Sequence, residues 1–181
     1  MGYETFFGGE LEFDKPLGST FEKFLKSFCA IRHMKRDVQE LKKLDPKWRD
    51  HSFHGEIGPY GEWYVGYEAA GGHTYYAGDT SVIDYNSCES LPGLWCDWEI
   101  CKGANKYYLR PVDGKNYEYL EWLHYLIENF IAPSGYKLTG EIEWSGEEDD
   151  DRGIIHVKDN EMSVSYAEIV YSDPVPYNGR K

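Results

Sequence analysis

The chain has no unbroken apolar stretch near the ~20 residues needed to cross a bilayer, so no membrane span is expected. It is also short of positive charge: 19 Lys and Arg stand against 32 Asp and Glu, for a net charge of -13. Direct nucleic-acid binding is therefore disfavoured, because neutralising phosphates requires clustered Lys and Arg. A basic protein surface, such as that of a nucleic-acid-binding protein, is the natural electrostatic partner. Cysteine is sparse, with only Cys29, Cys88, Cys96 and Cys101 in 181 residues. Four dispersed thiols do not make a disulfide framework, and reduced cysteines in the cytoplasm are the expectation. The first residues, Met1 to Phe6, have neither a cationic n-region nor an apolar h-region, so no secretory signal is read there. Gly2 does not complete a myristoylation pattern, since Phe6 stands where Ser or Thr is required.

Catalytic signatures are missing as well. The chain has no Gly-x-Ser-x-Gly elbow and none of the glycine patterns that cradle phosphates or dinucleotides. His51-x-x-His54 and the cysteines contain zinc-compatible atoms, but no Cys-x-x-Cys pair brings them to ligand spacing. Glu147 to Gly153 invites a calcium reading. Counted from Glu147, however, the sixth and twelfth positions are Arg152 and Lys158, where an EF-hand loop needs Gly and Glu. No cofactor and no resident metal is expected.

What the chain does have is aromatic residues, at 17% with sixteen tyrosines, and a strongly uneven charge layout. Between Leu138 and Glu168, ten carboxylates face only Arg152 and Lys158. From Phe21 to Arg49 there are nine basic against four acidic residues, a local +5 that leaves -18 on the remainder. A solvated helix face, intramolecular pairing and a partner surface are the three readings of that basic stretch.

Residues Tyr3 to Phe13 read as a bent strand or strand pair interrupted at Gly8-Gly9. Ser19 followed by Glu22 has the form of a capping box, and apolar positions from Phe21 to Leu41 recur every three or four residues. Together these predict one long helix ending at Asp45-Pro46. A strand is expected over Glu62 to Tyr67, and Gly71 to Pro92 is a long connector of the kind that often carries function. Leu94 to Cys101 and Lys106 to Arg110 predict a hairpin, and Asn116 to Phe130 a deeply buried second helix. Strands follow at Tyr136 to Trp144, Ile154 to Lys158 and Met162 to Tyr171.

This order predicts an α+β fold, an antiparallel sheet with two helices on one face, ferredoxin-like with extra hairpins. One domain over 1–172 is expected, with 173–181 a flexible tail. The candidate contact residues are Glu141, Glu143, Glu147, Glu148, Asp149, Asp150 and Asp151 on the hairpin, with Trp63 and Trp95 as aromatic contacts; core packing is the bland alternative for the tryptophans.

Several segments resemble a family of small, functionally uncharacterised proteins encoded in bacterial and phage genomes. They are Arg32 to Asp37, Asp84 to Asn86, Pro92 to Trp98, Tyr119 to Leu123 and Gly135 to Glu147. The resemblance brings no activity and no functional residues, only a bacterial or phage context. That context implies a non-enzymatic acidic protein that engages a basic surface, as a counter-defence inhibitor of a nucleic-acid-processing complex would. The alternative is a small metal-dependent hydrolase using the acidic loop and nearby histidines.

Overall fold

A computed structural model describes residues 2–66 and 79–174. The chain forms β1 (Phe6–Phe13), α1 (Ser19–Ala30), β2 (Lys35–Arg36), α2 (Val38–Leu44) and a 3-10 turn (Trp48–His51). Then come β3 (Val82–Asp84), β4 (Trp98–Lys102), β5 (Tyr107–Pro111), α3 (Tyr119–Leu126) with a π turn (Ile127–Ile131), β6 (Leu138–Ser145), β7 (Arg152–Lys158) and β8 (Glu161–Tyr166). Six strands make one sheet in the order β4-β5-β1-β6-β7-β8, with every pair antiparallel.

Within that sheet β1, α1, β4, β5, α3 and β6 follow a β-α-β-β-α-β order with β1 between β5 and β6, which is the ferredoxin-like plan. β7 and β8 extend it as a meander beyond β6. The cause lies in the strand alternation. Leu11 and Phe13, Trp98 and Ile100, Leu138, Ile142 and Trp144, and Ile155 and Val157 all bury on one face. Against that face pack Phe21, Phe24, Leu25 and Phe28 of α1 and Trp122, Leu123 and Leu126 of α3. The π turn closes through Ala132 N–H donating to the Ile127 carbonyl at 2.9 Å, and its widened geometry leaves Ile127, Phe130 and Ile131 all buried.

The β1–β6 seam depends on two glycines. A Cβ at Gly9 (φ +98) would lie 2.3 Å from the Glu141 carbonyl oxygen, and one at Gly140 would lie 2.5 Å from that of Glu10. Only glycine permits this backbone approach. β1 is accordingly one continuous strand, where the Gly8-Gly9 pair predicts a break.

The single long helix is not formed. α1 stops at Ala30 because the next residues find better partners elsewhere: His33 N–H donates to Leu94 O at 2.8 Å, Lys35 N–H to Ser87 O at 2.9 Å and Arg36 N–H to Tyr60 O at 2.8 Å. A second helix then starts at Asp37, whose carboxylate accepts from Gln39 N at 2.8 Å and Glu40 N at 3.0 Å. The apolar period past Ala30 belongs to a separate small core of Leu41, Trp48, Ile57 and Tyr64. The Ser19 capping box is absent too, since Gly18 occupies the cap position and Glu22 instead engages Lys26 and Tyr107. Residues 62–66 run as turns and bends, stitched by Trp63 N to Ile57 O and Val65 N to His51 O, instead of as a strand. Tyr67, Gly71 to Gly78 of the long connector and residues 175–181 of the tail lie outside the described residues. α3 begins at Tyr119 because the Asn116 side chain is taken up by the Asp97 and Val112 carbonyls. β8 ends at Tyr166, short of Tyr171.

Candidate protein-binding surface

α1 and α3 occupy one face of the sheet, no helix among the described residues covers the other, and the strand register decides what that face displays. Across it run two rows: Gly8, Glu143, Ile154 and Ser165, then Glu10, Glu141, His156 and Ser163. Glu12 lies opposite Tyr108 and Thr139, and Glu99 opposite Arg110. Glu10 and Glu141 are therefore direct cross-strand partners, a like-charge placement that destabilises an antiparallel pair.

Some of this charge is compensated locally. Arg110 pairs with Glu99 at 2.7 Å and Lys106 with Glu12 at 2.7 Å. His156 bridges the sheet, with Nδ1 at 2.8 Å from Glu141 and Nε2 at 3.0 Å from the Ser165 hydroxyl. Because a carboxylate only accepts, Nδ1 is the donor to Glu141 in that arrangement. Glu10, Glu143, Glu148 and Asp150 have no cation within ion-pair distance among the described residues.

The β6–β7 turn lies at the end of these strands. Asp151 is its anchor: one oxygen accepts from the Tyr3 hydroxyl at 2.5 Å and the other from the Trp144 indole at 3.1 Å. That carboxylate, through the hydrogen bond, raises the Tyr3 phenol above its usual pKa. Glu147 accepts from the Glu4 amide at 3.0 Å, and Asp149, 95% exposed, has only a loose 3.8 Å contact to Arg152. Glu147, Glu148, Asp149 and Asp150 are all exposed. The turn is thus a pinned platform carrying free carboxylates, not a loose acidic loop.

The two tryptophans are not part of it. Trp63 donates its indole N–H to Tyr125 at 2.7 Å and packs edge-on against Phe53 and Phe130 in the helix-side core. Trp95 bridges Arg32, whose guanidinium lies 5.6 Å from its ring. What sequence reasoning missed was Glu10, Glu12 and Glu99. The alternation with Leu11 and Phe13 places the first two on the polar face of β1, but only the pairing of β1 with β6 joins them to the hairpin.

Of the nine cations between Phe21 and Arg49 only Arg36 is buried, and Lys23, Lys26, Lys43, Lys47 and Arg49 are exposed. Arg36 forms a buried pair with Asp79, and Ser81 donates to the same carboxylate. Burial pushes the Asp79 carboxyl up, but those hydrogen bonds and the guanidinium outweigh it and hold the group below its usual range. Lys42 and Arg49 lie 4.5 Å and 4.3 Å from the Trp48 ring. Asp45 accepts from Tyr64 at 2.8 Å and pairs with His51 Nδ1 at 2.8 Å. Burial raises its carboxyl, while the bonds from His51, Tyr64 and Lys47 prevail and lower it. His51 and His54 line a cleft of about 550 Å³ with Lys23 and Arg49 beside α1, and neither has a recorded contact with the acidic turn. Among the described residues, no group of three or more His, Cys, Asp and Glu is placed to hold a metal ion. No helix there is long and apolar enough to cross a membrane. No family model matches the chain, and neither a curated protein nor a solved structure shows significant similarity to it.

Proposed function

We propose that this is a non-enzymatic acidic protein that binds a basic protein surface through the open face of its sheet and the β6–β7 turn. The observation that carries this reading is the pairing of Glu10 with Glu141 beside Glu143, together with a pinned turn of exposed carboxylates at the end of β6. Folding gains nothing from opposing like charges, whereas a cationic partner gains both attraction and steering. Within the cation-rich segment Arg36 pairs with Asp79 and Lys35 with Glu89, and the segment lies on α1, β2, α2 and the 3-10 turn, not among the strands that carry the acidic rows. The class of partner is a protein with a nucleic-acid-binding groove, whose clustered Lys and Arg would meet the sheet face as they meet phosphates. In a phage or bacterial setting such occupation acts as counter-defence inhibition.

The test is association kinetics between the protein and a partner captured on it, across a salt series. Replacing Glu148, Asp149 and Asp150 by Gln, Asn and Asn is expected to slow association, and the wild-type rate is expected to fall as salt shortens the Debye length. Equal, salt-independent rates for both proteins would remove the acidic surface from function.

A further inference from the structure

Among the described residues β8 is the outermost strand of the sheet and pairs with β7 alone. Ala167 N–H donates to Arg152 O at 2.8 Å, and the β7–β8 register runs without a shift from Gly153↔Tyr166 to Lys158↔Glu161. Antiparallel alternation then assigns Ser165, Ser163 and Glu161 to the ladder with β7 and turns the N–H and C=O groups of Met162, Val164 and Tyr166 outward. Natural edge strands are usually protected by lysine, proline or a bulge. Glu161 to Tyr166 has none of these. Beyond it, Tyr166, Ile169, Val170 and Tyr171 are 71%, 50%, 84% and 88% exposed, an apolar strip continuing the edge.

The charge beside this edge is negative. Glu141 and Glu161 outnumber Lys158 around a shallow depression of about 580 Å³ at the β6–β8 end, which His156 and Ser163 also border, and Glu168 follows the strand. A second copy of the chain would bring a further -13 to this edge. A basic segment is attracted to it.

We infer that the outer edge of β8 accepts a basic, extended polypeptide segment as a seventh strand, its main chain pairing with Met162, Val164 and Tyr166 and alternate Lys or Arg side chains reaching Glu161 on the same face. This rests on the acidic-surface reading and adds to it the mode of attachment. Main-chain bonds supply affinity in such strand addition, and alternate side chains supply specificity.

The probe is a heptapeptide of alternating Lys and Val, compared with the same peptide N-methylated at every residue so that neither edge can pair. Adding the plain peptide is expected to slow amide exchange at Met162, Val164 and Tyr166. Val164→Pro removes an outward donor while leaving the β7 ladder bonded, and is expected to weaken binding by at least ~tenfold. Tyr166→Pro, at the strand's last residue, serves if Val164→Pro does not fold. Equal binding of the methylated peptide, or unchanged affinity in a folded proline variant, overturns strand addition while leaving charge attraction intact. Salt-independent binding of the plain peptide would instead count against the acidic surface itself. Protection of the same three amides in the free protein, rising with its concentration, would show a second copy on the edge and also overturn the inference.

Discussion

Phe28 and Arg36 are both buried, at 0% and 5% exposed, yet they are held by different physics. Phe28 belongs to the sheet-and-helix core, where it meets Phe130 edge-on at 4.7 Å and Trp122 at 6.1 Å, and apolar area is the cohesive force. Arg36 belongs to the long connection between α1 and β4, beside a second, small apolar cluster of Leu41, Trp48, Ile57 and Tyr64. There the cohesion comes from buried polar partners: Arg36 with Asp79, and Asp45 with His51 and Tyr64. The first kind of region tolerates change in proportion to volume lost. The second fails when a single partner is removed, because an unpaired buried charge has nowhere to go.

The largest expected effect breaks that second region. Asp79→Ala removes a buried carboxylate partner of the Arg36 guanidinium and is expected to cost about 3–5 kcal/mol in urea unfolding. Replacing both by apolar residues, Arg36→Met with Asp79→Leu, is expected to recover most of the loss. A double variant as unstable as the single one would show that the connection does not depend on charge pairing.

In the core, Leu123→Ala is expected to cost ~2–5 kcal/mol, set by the cavity left at a 0% exposed site. A loss well below that range would mean the core relaxes around the gap and the contrast between the regions is weaker than their packing implies.

His33 sits where the two regions meet, 2% exposed and 4.4 Å from the Phe28 ring, with its Nε2 lacking a hydrogen-bond partner. Burial lowers its pKa from 6.5 to about 4. The unfolded chain therefore binds the proton more readily between those values, so stability is fully present above 6.5 and falls as pH drops toward about 4. Between pH 7 and pH 5 the wild type is expected to lose about 2 kcal/mol more than His33→Phe, measured as the difference between their unfolding curves. Parallel curves would place the imidazole in contact with water.

The smallest expected effect is at the turn. Neutralising Glu148, Asp149 and Asp150 is expected to change stability by no more than about 0.5 kcal/mol, since exposed charges contribute little. Neutralising Asp151 to Ala is different, because it unpins Tyr3 and Trp144. A larger effect for the first set than for Asp151 would reverse which carboxylate is structural.

The strands of the sheet were legible because each alternates over enough residues to define a face. Leu138, Ile142 and Trp144 bury, while Glu141 and Glu143 do not. The same reading failed over Ile31 to Leu41, where two separate stripes happened to share a helical period. Nothing local announces that Arg36 will be buried against a carboxylate far along the chain.

By itself, then, the sequence determined the α+β class, the ferredoxin-like order of strands and helices, and the excess of negative charge, because alternation, helical period and net charge are local or additive. Tertiary structure alone decided that Glu10 faces Glu141, that Asp151 is held by Tyr3 and Trp144, that the tryptophans Trp63 and Trp95 turn away from the acidic surface, and that β8 is left as an edge. Each is a pairing between distant segments, and such pairings are selected by the packing of the whole sheet against its two helices.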